Sequence, residues 1–94
     1  MTTKEKKSLR GQAHSLKPVV QLGQQGLSDN VVGAVTAALL QHELIKVRMQ
    51  EPEDKVRLAT SLAEKTESLV CGLIGHTVIL YKAHPDPEKR RIAP

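Results

Sequence analysis

The chain has 94 residues, 14 Lys and Arg against 10 Asp and Glu, and 39% hydrophobic residues. That is one folded domain with a thin core and a net charge of +4, a surplus that draws polyanions. One cysteine, Cys71, excludes an internal disulfide and supplies too few thiolates for a zinc cluster. Phe and Trp are absent and Tyr81 is the sole aromatic residue, so no aromatic platform for stacked bases can be assembled. No apolar run approaches the roughly 18 residues of a membrane span, and Leu9-Arg10-Gly11-Gln12 breaks the apolar core that a signal peptide needs. A soluble protein of a reducing compartment such as the cytoplasm is expected.

Thr2 or Thr3 can cap a first helix running to about Leu16, with Leu9, Ala13 and Leu16 on one stripe. Lys17-Pro18 ends it, because the residue before proline is pushed out of the helical region. Val19 to Leu22 reads as a short strand and Gly23 to Gly26 as a turn. Ser28 then caps a second helix with Asp29 in its first turn, and Val31, Val35, Ala38, Leu39 and His42 mark one face.

Leu44 to Gln50 alternates. Ile45, Val47 and Met49 fall on one side and Lys46, Arg48 and Gln50 on the other, as in a half-buried strand. Pro52 opens a third helix, Glu53 and Asp54 suit its positive end, and Leu58, Ala59, Leu62, Ala63, Leu69 and Val70 form its core face up to a stop at Gly72. Val78-Ile79-Leu80, apolar on both faces, marks an interior strand over His76 to Lys82. Residues 1–84 then form the domain and residues 85–94 a basic tail punctuated by Pro85 and Pro87, in which Arg90 to Ile92 could add an edge strand. The predicted class is α/β, in the order α-β-α-β-α-β with a last strand left open.

Two features point to function. Lys6, Arg10, His14 and Lys17 recur at helical spacing, with Lys7 beside them, forming a cationic ridge next to the Leu9-Ala13-Leu16 stripe. Like charges at this spacing cost a few tenths of a kcal/mol, which an external polyanion would offset, although a solvated face explains the pattern equally well. Gly72-Leu73-Ile74-Gly75 lies between a helix end and a strand and allows close approach to a phosphate. Taken alone, the pair is better read as a helix C-cap at Gly72 and a bend at Gly75. Lys46, Arg48 and Lys82 extend the candidate surface, His76 is placed to assist the glycines, and Arg57 and Lys65 are expected to pair with neighbouring Glu. His42-Glu43 lacks the second His of a zinc helix, no P-loop occurs, and Cys71 is read as a structural thiol. Neither a catalytic site nor a cofactor or metal site is expected.

Four blocks in order, Leu9-Arg10-Gly11-Gln12-Ala13-His14-Ser15-Leu16-Lys17-Pro18-Val19-Val20, Gly23 to Ser28, His42 to Val47 and Gly72 to Lys82, resemble the CRM domain, and most closely its stand-alone bacterial form, the YhbY family. The resemblance covers about residues 4 to 82. It implies a mixed four-stranded sheet with three helices, similar to the C-terminal domain of translation initiation factor 3. It also implies RNA binding through the Gly72-to-Gly75 loop and the adjacent basic helix.

The bacterial family is associated with precursors of the large ribosomal subunit, and plant relatives with several copies act in group II intron splicing. With one copy here, the resemblance favours ribosomal RNA during large-subunit assembly. The candidate contacts are Lys6, Lys7, Arg10, His14, Lys17, Lys46, Arg48, Gly72, Leu73, Ile74, Gly75, His76 and Lys82. The family often has Lys or Arg after the second glycine, where this chain has His76. No small-molecule substrate is implied and a monomer is expected. A protein adaptor docking on an acidic partner at the ribosome is the alternative.

Overall fold

The computed structural model describes residues 1–23, 26–50 and 53–94. In chain order the elements are α1 (Thr3–Ala13), β1 (Val20–Leu22), α2 (Asp29–His42), β2 (Leu44–Met49), α3 (Lys55–Thr66), β3 (Leu69–Ile74) and β4 (Thr77–Tyr81), followed by a 3-10 turn at Pro87–Lys89. The helix starts follow from their caps. Thr2 and Glu5 form a reciprocal capping box, Val31 N–H donates to Ser28 Oγ at 3.2 Å, and Arg57 N–H donates to Asp54 Oδ1 at 3.1 Å. Asp54 is therefore the cap of α3, and Pro52, expected to open that helix, lies outside the described residues.

The four strands form one mixed sheet in the order β1-β2-β4-β3. β1 is parallel to β2, while β4 is antiparallel to both β2 and β3. This is the expected α/β architecture of three helices and a four-stranded sheet, with β4 in the interior as its two-sided apolar run requires. The fourth strand, however, is Leu69–Ile74 and not Arg90 to Ile92, and α3 ends at Thr66 instead of running to Gly72.

The reason lies at Glu67, which adopts the left-handed conformation with φ 54°. Ser68 N–H reaches back to Ala63 O at 2.9 Å and Glu67 N–H to Glu64 O at 3.3 Å, the pair of bonds of a Schellman stop. Beyond it Leu69 and Val70 pair with Tyr81 and Leu80. The first helix also ends early, at Ala13. Lys46 Nζ takes the freed carbonyls of His14 and Leu16 at 3.2 and 3.0 Å, and Leu16 is exposed instead of packed.

Each face of the sheet carries its own core. Leu22, Ile45, Val47, Met49, Val78 and Leu80 pack with Val35 and Leu39 of α2 and Ala59, Leu62 and Ala63 of α3. On the other face Leu44, Cys71, Ile79 and Tyr81 pack under Leu9 and Ala13 of α1. His42, expected on the packed face of α2, is exposed.

Residues 85–94 fold back on this second core. Ile92 packs against it, and Gln12 Nε2 donates to Ala93 O at 2.7 Å. The clasp is Glu43, a buried residue at φ 64°. Its carboxylate accepts the backbone N–H groups of His84, Arg91 and Ile92. Burial pushes this carboxyl up, but the three donors, with His84 nearby, outweigh it and hold the group below its ordinary range.

Candidate nucleic-acid interface

α1 lies across the sheet with two unlike flanks. Leu9 and Ala13 point down into the core. On one flank Gln12 reaches the C-terminal segment; on the other Arg10 crosses the backbone of Gly72 and donates through Nη1 to Cys71 O at 2.9 Å. A Cβ on Gly72 would sit 2.6 Å from Arg10 Cδ, so glycine is needed there to let the arginine cross. Lys6 lies on the same flank, close enough, with Arg10, to temper the Cys71 thiol. That thiol is pushed up by burial first of all, which leaves it a poor nucleophile. His14, the C-cap of α1, continues the ridge and is exposed, as is Lys7 on the crest of the helix; Lys17, expected on the same ridge, is exposed but lies beyond the helix end in the link to β1.

The Gly72-to-Gly75 segment is not a loop between helix and strand. Gly72 to Ile74 belong to β3, and Gly75 and His76 are the two-residue turn of the β3–β4 hairpin. Gly75 has φ 57°, as the first residue of a type II′ turn requires. The turn is fixed from two sides: Met49 N–H donates to His76 O at 2.7 Å and Lys55 Nζ to Gly75 O at 3.1 Å. Sequence spacing gave Lys55 no special place, since 20 residues separate it from Gly75.

The strand alternation places the remaining candidates. Lys46, held by the end of α1, fixes the even-numbered residues of β2 on the α1 side, so Arg48 shares that side and is exposed. Arg48 stands opposite Thr77, and Thr77 opposite Ile74, at the hairpin end of the sheet. Lys6, Lys7, Arg10, His14, Lys46, Arg48, Gly72, Ile74, Gly75 and His76 are thus gathered on one face and its hairpin rim, with Lys17 exposed in the link from α1 to β1.

Two candidates stand apart. Leu73 turns inward to the α2–α3 core. Lys82 follows the far end of β4, about 17 Å along the strand from Thr77 at ~3.4 Å per residue. There it caps α3 by donating to Thr66 O at 3.3 Å and lies 3.9 Å from Glu67 Oε2. That is the sole ion pair among the described residues, so the expected pairing of Arg57 and Lys65 with nearby Glu is not formed.

Tyr81 is buried, and burial, then Glu43, pushes its phenol above the ordinary value. The only Phe, Tyr or Trp ring of the chain is therefore unavailable to stack on a ligand. Among the described residues no group of three or more His, Cys, Asp or Glu could hold a metal, and no helix is long and apolar enough to cross a membrane.

Gly72 and Gly75 carry a direct test. Gly72→Val must displace the Arg10 side chain, and overpacking of this kind costs about 1–3 kcal/mol. Gly75→Ala should cost about 1–2 kcal/mol through its left-handed backbone alone. Thermal unfolding measures both, and only the first should be relieved by shortening Arg10 to Ala.

Comparison with known proteins identifies the family and the fold. Residues 1–82 match the CRS1 / YhbY (CRM) domain family. The chain is 39% identical over 84 residues to "Probable RNA-binding protein YqeI" of Bacillus subtilis, covering 87% of this chain and 88% of that one. It is 38% identical over 84 residues to an "RNA-binding protein" of Haemophilus influenzae, with 87% and 85% covered. Its fold superposes with a TM-score of 0.83 and 30% identity, over 99% of both chains, on a structure described as "Solution structure of the hypothetical protein SAV1595 from Staphylococcus aureus, a putative RNA binding protein". Matched by the family model over residues 1–82 and by relatives at 38–39% identity along most of both chains, and folded as three helices on a four-stranded sheet, the chain belongs to the CRS1/YhbY (CRM) domain family.

Proposed function

We propose that this protein binds structured RNA by its phosphate backbone and acts on ribosomal RNA during assembly of the large subunit, as a cytoplasmic monomer. The observation that carries the reading is the continuity of the α1 flank with the hairpin rim. Arg10 physically joins the two by crossing Gly72, so the cations of α1 and the Gly75–His76 turn present one surface. The names of the relatives support RNA as the partner.

Phosphate contacts release condensed counterions, so affinity must fall with salt. With about four contacts, binding should weaken roughly 50- to 150-fold between 50 and 200 mM salt. Insensitivity to salt would refute the electrostatic reading. Co-sedimentation with large-subunit precursors should be lost after nuclease treatment; retention would favour docking on an acidic protein. Crosslinking in cells with sequencing of the attached RNA then reads the target directly.

His76→Lys places a permanent charge on the hairpin turn and should raise affinity several-fold; no gain would remove residue 76 from the contact.

A further inference from the structure

α1 covers only part of its face of the sheet. Its apolar stripe sits over Leu44, Cys71, Ile79 and Tyr81. Toward the hairpin that same face ends in a row with one residue from each strand: Gln21, Arg48, Thr77 and Ile74. The registers Gln21↔Arg48, Arg48↔Thr77 and Ile74↔Thr77 set them side by side. Gln21 and Arg48 are exposed, Thr77 is half-buried, and Ile74 is 63% exposed.

On the opposite face the neighbouring residues Leu22, Val47, Met49 and Val78 are core, so this end is left open on one side only. The strands contribute no acidic residue, and the one acid of α1, Glu5, is committed to the Thr2 cap. Among the described residues, neither the strands nor α1 put an uncommitted acidic side chain beside this floor.

We infer that this open row is a base-reading floor for two or three unpaired nucleotides, whose phosphates lie along the α1 ridge. The inference rests on the RNA-binding reading above and names its substrate class: RNA that is single-stranded at the contact. Four strands at ~4.8 Å spacing give a floor about 14 Å wide, and sheets of this width accommodate two or three bases. Each residue type fits a part of that task. The Arg48 guanidinium offers a plane on which a base stacks, Ile74 an apolar surface for a second, and the Gln21 amide and Thr77 hydroxyl donate to and accept from base edges. A paired duplex hides its base edges and would leave Ile74 in water. The floor also replaces the aromatic platform that this composition forbids.

The test is fluorescence anisotropy of the intact protein with labelled homopolymers of about eight nucleotides and a blunt RNA duplex of the same length, all at one salt concentration. Charge alone ranks the duplex first, because its phosphates are denser. The expected result is that at least one homopolymer binds more tightly than the duplex and that the homopolymers differ by about fivefold or more. Gln21→Ala with Thr77→Val should collapse that spread to within about twofold while leaving the salt dependence intact. Circular dichroism confirms folding, which an exposed glutamine and an isosteric β-branched exchange should not disturb.

A duplex that ranks first above indistinguishable homopolymers would overturn the inference and leave backbone binding standing. So would a spread that survives both substitutions. Salt-indifferent binding, or none, would overturn the backbone reading and this inference with it.

Discussion

Replacing Lys7 and Lys17 together by glutamate is expected to weaken RNA binding about 100-fold at roughly 50 mM salt, near tenfold for each lost phosphate contact. Both side chains are exposed, and neither is among the side chains that hold α1, the hairpin or the C-terminal segment in place. Folding should therefore be unchanged. The slope of log affinity against log salt should fall by about two. Arg10 is the less informative choice despite its central position. It donates to Cys71 O and fills the space above Gly72, so its removal changes packing as well as charge. A loss under threefold for the lysine pair, with the slope intact, would move the RNA off α1.

The second large effect is on stability and belongs to Glu43. Glu43→Ala removes the acceptor for three backbone N–H groups of the C-terminal segment. Unpaired donors cost about 1–3 kcal/mol each when they stay buried, though here the segment can lift away and hydrate. A net loss of about 2–4 kcal/mol follows, or a fall in Tm of roughly 10–25 °C for a domain of this size. The backbone at residue 43 has φ 64°, so Glu43→Gly should be milder than Glu43→Ala by about 1 kcal/mol. Deleting residues 85–94 removes two of the three donors, so adding Glu43→Ala to the deletion should cost less than it does in the full chain, with only the His84 bond left to lose.

The same carboxylate sets a pH dependence. Its folded-state value lies below the ordinary 4.5, so it binds fewer protons folded than unfolded. The stability it contributes is fully present above pH 4.5 and is lost as pH falls through the depressed value. Denaturant midpoints measured from neutral to acid pH should show this decline in the native chain and a shallower one in Glu43→Ala.

Local chemistry made much of the architecture legible. Thr2 and Ser28 announce two helix starts because a short side-chain oxygen before a helical stripe has one efficient use, to accept the first free N–H groups. The alternation from Leu44 to Met49 and the apolar run of β4 likewise fix the strands and their burial. β3 was hidden for a physical reason. Leu62, Ala63, Leu69 and Val70 keep a helical period across a stop that uses Glu67 in place of the usual glycine. Only the pairing of Leu69 and Val70 with β4 decides the matter, and pairing is a tertiary fact.

The site divides in the same way. Helical spacing brings Lys6, Arg10 and His14 to one flank without help from the rest of the chain, but not Lys17, which lies beyond the early end of α1. The crossing of Arg10 over Gly72 and the Lys55 bond to Gly75 O join segments far apart in sequence, and no local pattern encodes them. Glu43 was the least legible of all. A single acid between a helix and a strand gives no hint that it holds the other end of the molecule.

The claim on which the account turns is that one surface, the α1 flank with the β3–β4 hairpin rim, holds RNA. Backbone amide shift mapping during titration with a short single-stranded RNA tests it most directly. The account predicts that shifts concentrate in residues 6–17, at Arg48 and from Ile74 to Thr77, while the exposed side of α2 and the cleft formed by Thr36, Leu40, Ala83 and Pro85 stay still. Shifts centred on α2 and that cleft, with the α1 ridge unmoved, would contradict it.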